Sequence, residues 1–152
     1  MKKLLIGLSA LLVLLLSGCA TTSPSAPVYT DTKAKQFVVD KGKSNIYVYR
    51  NEFFGAAVSM PVTLDGQNVG TTGADTYLKL ITTPGNHILT SKAENVDTLQ
   101  LTTQANKNYF VWQEVKLGVV FARSDLKLVS EQEGKKGVNE CKLVLQSKKQ
   151  SK

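Results

Sequence analysis

Between residues 45 and 130 the chain is a succession of short runs with a period of two, separated by turn residues, and this alternation is what most restricts the folds open to it. "NIYVYR" (residues 45–50) is β-branched and aromatic. "PVTLDGQNVG" (61–70) reads as two brief strands around Asp65-Gly66, and "TYLKLITTPGNHILTSK" (76–92) as a second hairpin turning at Pro84-Gly85. Strand-like runs follow at 97–103, 108–118, 119–123 and 126–130. Asp-Gly and Pro-Gly supply the positive or preset φ values that tight turns need. Strands this short, spaced by about ten residues, predict an all-β, antiparallel sandwich or barrel.

One segment breaks the period. Ser130-Glu131-Gln132-Glu133 has the form of a capping box, and Val138, Cys141 and Leu145 recur at helical spacing. A short C-terminal helix is expected there, weakened by Gly134 and Gly137 at about 1 kcal/mol each relative to alanine. A last strand over 140–145 is the rival reading.

Ahead of the strands, Lys2 and Lys3 precede an apolar run over residues 4–16, and Ser17-Gly18-Cys19 follows. Charge, apolar run and small residues in that order are the layout of an export signal. The run falls short of the roughly 20 residues that cross a bilayer. Leu16-Ser17-Gly18-Cys19 resembles the lipobox of bacterial lipoproteins. That resemblance implies cleavage before Cys19, a diacylglycerol on its sulfur and a further acyl chain on the new amino terminus. Two or three acyl chains hold a protein on a bilayer where one binds marginally. Ala20, where aspartate tends to retain such proteins at the inner membrane, implies the periplasmic face of the outer membrane for a Gram-negative source.

Removing residues 1–18 leaves 134, enough for one domain with a real core. The formal charge of +7 loses Lys2 and Lys3 with the leader and becomes +5. A basic chain invites a nucleic-acid reading, but export excludes that partner; the envelope's own polyanions are lipid headgroups, lipopolysaccharide and peptidoglycan. The expected layout is a signal over 1–18, a Ser/Thr/Pro-rich tether over 19–43 that pins down near Phe37, a sandwich over 44–146 and a basic tail over 147–152 with Lys148, Lys149 and Lys152. As a coil, the tether's first residues would span about 20–25 Å.

"IYVYRNE" with "VTLDGQNVG", then "YLKLITTPGNHILTSKAEN", and last "YFVWQEVKLG" with "NECKL" resemble, in that order, the DUF2846 family of bacterial lipoproteins. The middle portion is similar to PEGA-type modules, with their D-G-x-x-V-G hairpin and P-G-x-H turn. The resemblance implies an Ig-like or PEGA-like β-sandwich on a lipid anchor and supplies no catalytic residue.

Few residues here have the makings of catalysis. His87 is the one histidine; its chemical reading is a general base for Cys141 or a serine, and its structural reading is a turn-capping side chain. Cys141, left without a partner once Cys19 is lipidated, reads as a small core residue, with an intermolecular bridge as the alternative. There is no zinc-ligand spacing, and Asp65, Asp75, Asp97 and Asp125 are scattered rather than gathered as calcium requires. Glu52 and Glu114 are a carboxylate pair only if the fold brings them together. No cofactor is expected beyond the lipid on Cys19. Alternation leaves an aromatic face, with Tyr47 and Tyr49 on one strand and Phe110 and Trp112 on another. It is either a ring-lined surface for an envelope protein or glycan, or a second small core beneath the C-terminal helix or the tether.

Overall fold

The computed structural model describes residues 21–147. The expected export signal, Cys19 and the terminal lysines lie outside the described residues. The chain forms α1 (Val28–Ala34), β1 (Ser44–Arg50), β2 (Met60–Leu64), β3 (Gln67–Thr72), β4 (Thr76–Thr82), β5 (Gly85–Lys92), β6 (Val96–Thr103), β7 (Lys107–Leu117), β8 (Ala122–Val129), α2 (Glu131–Glu140) and β9 (Lys142–Leu143). Two sheets face each other, a five-stranded one in the order β8-β7-β1-β4-β9 and a four-stranded one in the order β3-β2-β5-β6. The protein is thus an all-β sandwich with a short C-terminal helix. Its larger sheet is mixed, because β1 runs parallel to β7 and β4 parallel to β9.

Alternation makes the inter-sheet core. Ile46 and Val48 of β1, Leu78 and Leu80 of β4, Val111 of β7 and Leu126 of β8 meet Val62, Leu89 and Leu101 of the smaller sheet. A buried polar belt crosses the same layer, where Thr72 hydroxyl donates to Gln113 Oε1, Gln113 Nε2 to Ser91 Oγ at 2.6 Å and Ser124 Oγ to Ser91 Oγ at 2.5 Å. Pairing these groups with one another avoids the cost of leaving them dry and unbonded.

The Asp65-Gly66 turn is a tight hairpin with positive φ at both residues, 51° and 78°, as a primed turn requires. Pro84-Gly85 is not one. Thr76–Thr82 and Gly85–Lys92 lie in different sheets, so this corner carries the chain across the sandwich. The Thr83 carbonyl, which a hairpin would turn toward a ladder amide, accepts instead from His87 Nε2 at 2.8 Å. Residues 119–121 are a loop rather than a strand, and β8 runs unbroken from Ala122.

Both readings of the C-terminal segment are realised in succession. Ser130 Oγ accepts the Glu133 N–H and starts α2; the helix ends at Glu140, and a two-residue strand follows. Cys141 and Leu145 therefore lie past the helix, and Val138 alone of the three faces inward from it. Gly134 and Gly137 have a role that helix propensity conceals. A methyl on Gly134 would stand 2.1 Å from Phe110 Cβ, and one on Gly137 2.1 Å from Tyr49 Cε2, so the glycines let the helix lie directly on the sheet.

The described part of the segment expected as a tether over 19–43 packs against the domain well ahead of Phe37, where it was expected to pin down. Ser23 N–H donates to Thr71 O, Ala26 N–H to Leu143 O, and Ser25 bridges Val144. Pro27, with φ of −55°, opens α1. Asp31 then locks that helix down. Its carboxylate accepts from Tyr77 hydroxyl at 2.8 Å, Leu143 N–H at 3.0 Å and Lys35 Nζ at 2.9 Å, while Lys35 also donates to Cys141 O at 2.6 Å. Burial alone would raise the Asp31 carboxyl, but these donors outweigh it and hold the group below its usual range.

Gly137→Ala tests the close approach of helix and sheet. On propensity the change would stabilise a helix by about 1 kcal/mol. The clash with Tyr49 should instead destabilise the protein by about 1–3 kcal/mol in denaturant titration.

Candidate functional site

The aromatic face sits on the outer side of the five-stranded sheet, and α1 and α2 cover it. Tyr47 and Phe110 stack with centroids 5.1 Å apart, and Phe37 sets its edge against both at 5.3 and 5.7 Å. Tyr47 hydroxyl donates to Ala34 O at 3.0 Å, tying the ring to the end of α1. With Tyr49, Tyr77, Val138, Cys141 and Leu143, these rings make a second core. Tyr47 is 0 % exposed, Phe110 1 % and Tyr49 2 %, so three of the four rings follow the second of their two readings and are interior to a small core. The reason is packing. A sheet face this apolar gains about 2 kcal/mol per ring when covered, and the segments that precede and follow the strands both lie over it.

Trp112 is the exception, half-buried at the margin of α2. Lys127 Nζ lies 5.2 Å from its ring centroid, and its Nε1 is buried without a hydrogen-bond partner. A shallow cleft of about 270 Å³ opens beside it, lined by Tyr49, Asn51, Trp112, Glu133, Lys136, Gly137 and Glu140. Asn51 Nδ2 donates to Glu140 Oε2 at 2.7 Å across its mouth. Burial, reinforced by the charges of Glu133, Glu140 and Glu52, pushes the Tyr49 phenol up to about 12, so it stays protonated. The cleft offers hydrogen bonds and one ring edge, which suits holding a small polar group.

The carboxylates of Glu52 and Glu114 do come within electrostatic reach. Burial raises the Glu52 carboxyl despite the Val115 N–H bonded to it at 2.9 Å, and the Glu114 charge adds to that rise. Burial alone would raise the Glu114 carboxyl, but the contacts with Lys116 and Lys127 together outweigh it and hold the group low. Each has structural work: Glu52 takes the place of the missing strand beside β7 where β1 turns away, and Glu114 anchors a lysine pair. Next to them Arg50, fully buried, donates to Val58 O and Gly55 O at 2.5 Å each and so holds the loop between β1 and β2 in shape.

His87 and Cys141 are not partners. His87 stands on the smaller sheet, and Cys141 lies beyond the far face of the larger one. Burial pushes the Cys141 thiol up to about 12, the opposite of what a nucleophile needs. Both His87 nitrogens face acceptors, Nδ1 to Asp65 Oδ2 and Nε2 to Thr83 O, each at 2.8 Å. That arrangement favours the doubly protonated ring. Asp65 also accepts the Ile88 N–H at 2.8 Å, while Asp97 accepts the Leu126 N–H and Asp125 neighbours the Glu114 lysines. Among the described residues no three His, Cys, Asp or Glu side chains gather as metal ligands, and no helix is long and apolar enough to cross a membrane.

The His87–Asp65 pair should make stability depend on pH. Burial lowers the His87 pKa, but Asp65 and Thr83 outweigh it and raise it above 6.5. Its contribution is complete below that value and is lost as pH rises through the raised pKa. Burial would raise Asp65, but His87 and the Ile88 N–H together outweigh it and lower the group below 3.8, so its contribution is complete above 3.8 and is lost as pH falls further. The half-exposed Asp65 is screened, which keeps the pair near or below about 1 kcal/mol. The Tm difference between wild type and His87→Gln should therefore be larger at pH 5.5 than at pH 8.5; a difference that does not vary with pH would show the pair to be uncharged.

Known proteins share this chain's pattern over most of its length. A family of proteins of unknown function, DUF2846, matches residues 40–125. An uncharacterized protein of Haemophilus influenzae is 36 % identical over 135 residues, which is 87 % of this chain and 79 % of that protein. No solved structure matches. Neither the family nor the relative carries an activity in its name. The aromatic strands, the Asp-Gly hairpin and the Pro-Gly corner all fall inside the matched span, and the chain belongs to the DUF2846 family.

Proposed function

We propose that the protein is a lipid-anchored component of the cell envelope, held at the periplasmic face of the outer membrane. Its sandwich serves there as a non-catalytic binding or structural module. The observation that carries the reading is the succession of the apolar run 4–16, the lipobox-like Leu16-Ser17-Gly18-Cys19 and a packed body that begins at Thr22. Acyl chains confine such a body to a surface and raise its effective concentration near any envelope partner. The state of the candidate groups supports a binding module: the thiol is buried, the histidine is engaged at both nitrogens and the phenol beside the cleft stays protonated. A glycan partner would have to use the Trp112 cleft, since the rest of the aromatic face is covered.

The anchor has a direct test. Intact mass of the membrane-extracted protein should show a chain beginning at Cys19 and carrying acyl groups. Cys19→Ser should leave an uncleaved or unlipidated form; unchanged mass and unchanged membrane fractionation in that variant would remove the proposal.

A further inference from the structure

The loop that follows β7 is apolar and points into solvent. Val119 is 90 % exposed and Phe121 79 %, with Leu117 and Val120 beside them. The loop that follows β1 carries Phe53 and Phe54, and Phe53 is 82 % exposed. Because β1 and β7 are parallel neighbours, both loops leave the same end of the sandwich. The loop after β1 also rests on the end of β7: a Cβ on Gly55 would meet Val115 Cγ1 at 3.0 Å, and Glu52 holds the Val115 N–H. Neither loop is left to wander. Glu94 N–H donates to Ala122 O at 3.0 Å and its carboxylate accepts Val120 N–H at 2.8 Å, while Arg50 holds the carbonyls of Gly55 and Val58. Loops held in shape by these polar contacts yet tipped with exposed phenylalanine and valine present those side chains to something.

The chain's own course says what that is. Thr22 Oγ1 lies 3.1 Å from Ser59 Oγ and against Gly73, at the end where β2 starts and β3 finishes, which is the end that bears the apolar loops. Ala20 alone separates Cys19 from Thr21. Three Cα steps of at most ~3.8 Å therefore place Cys19 within about 11 Å of Thr22. Thr22 is on the β3–β4 side of that end and the β7–β8 loop is across it, two or three strand spacings of about 4.8 Å away. Lys92 and Arg123, both exposed at the neighbouring strand ends, suit a headgroup layer.

We infer that this end of the sandwich docks on the phospholipid leaflet that holds the anchor, with Phe53, Phe54, Val119, Val120 and Phe121 dipping into the boundary between headgroups and acyl chains. The inference rests on the lipid anchor proposed above. Two points of attachment, the acylated Cys19 on one side and the loop tips on the other, stand the strands upright on the membrane. They turn the opposite end, with the Asp65-Gly66 turn and the 104–106 turn, toward the periplasm. The domain is seated on the bilayer instead of swinging on a tether.

The test uses the full, lipidated chain in vesicles of phosphatidylethanolamine and phosphatidylglycerol with brominated acyl chains. Trp112→Phe removes the native indole. Phe121→Trp then places a reporter on the apolar loop, and Ala105→Trp places one at the far end; both positions are exposed. Bromine should quench the Phe121→Trp emission about twofold or more and leave the Ala105→Trp emission nearly unchanged. The intact mass of the same preparation separates the two claims. Acyl groups present with an unquenched Phe121→Trp reporter, or with both reporters quenched alike, overturn the docking and leave the anchor standing. A chain without acyl groups that floats free of the vesicles overturns the anchor and the docking with it.

Discussion

The structure depends on covering the outer face of its larger sheet. In a two-layer sandwich each sheet hides one face and wets the other. Here β1 is buried at every residue, with Ile46 and Val48 against the opposite sheet and Tyr47 and Tyr49 beneath the helices. The domain is thus a three-layer body whose third layer comes from the two ends of the described chain. α1 is held by the Asp31 contacts and α2 lies on the sheet through Gly134 and Gly137. A strand with aromatic rings on one side and branched aliphatics on the other cannot leave either side in water without losing several kcal/mol.

That requirement reshapes the functional reading. The row of rings is used for stability, and what remains open among the described residues is a marginal cleft beside Trp112 and the apolar loops at one end. The chain ahead of β1 changes role for the same reason. By packing from Thr22 onward, it fixes where the chain joins the sandwich's surface, beside Ser59 and Gly73. Cover of the sheet and the place where the chain joins the sandwich are two consequences of one segment's course.

Some of this was readable in the residues. The strands, the Asp65-Gly66 hairpin and the Ser130 cap follow from local chemistry, since alternation, positive φ and side-chain capping act over a few residues. The Pro84-Gly85 corner misleads because a Pro-Gly pair serves a hairpin and a sheet-to-sheet crossing equally well. The choice was made by where Leu78, Leu80 and Leu89 had to meet. α1 was hidden because seven residues with one acidic and one basic group carry too little pattern, and the contacts that hold the helix come from Tyr77 and Leu143, far along the chain. The helix glycines looked like a weakness and are contact points, a distinction that only the rings beneath them reveal.

By itself the sequence determined the fold class and the positions of most strands. These rest on short-range periodicity and on motifs that need no partner. Only the tertiary structure decided which aromatic rings are interior, that His87 and Cys141 stand apart, and that the apolar loops share an end with the amino terminus. Each of those depends on segments that meet across dozens of residues, where burial and chain direction, rather than local preference, set the outcome.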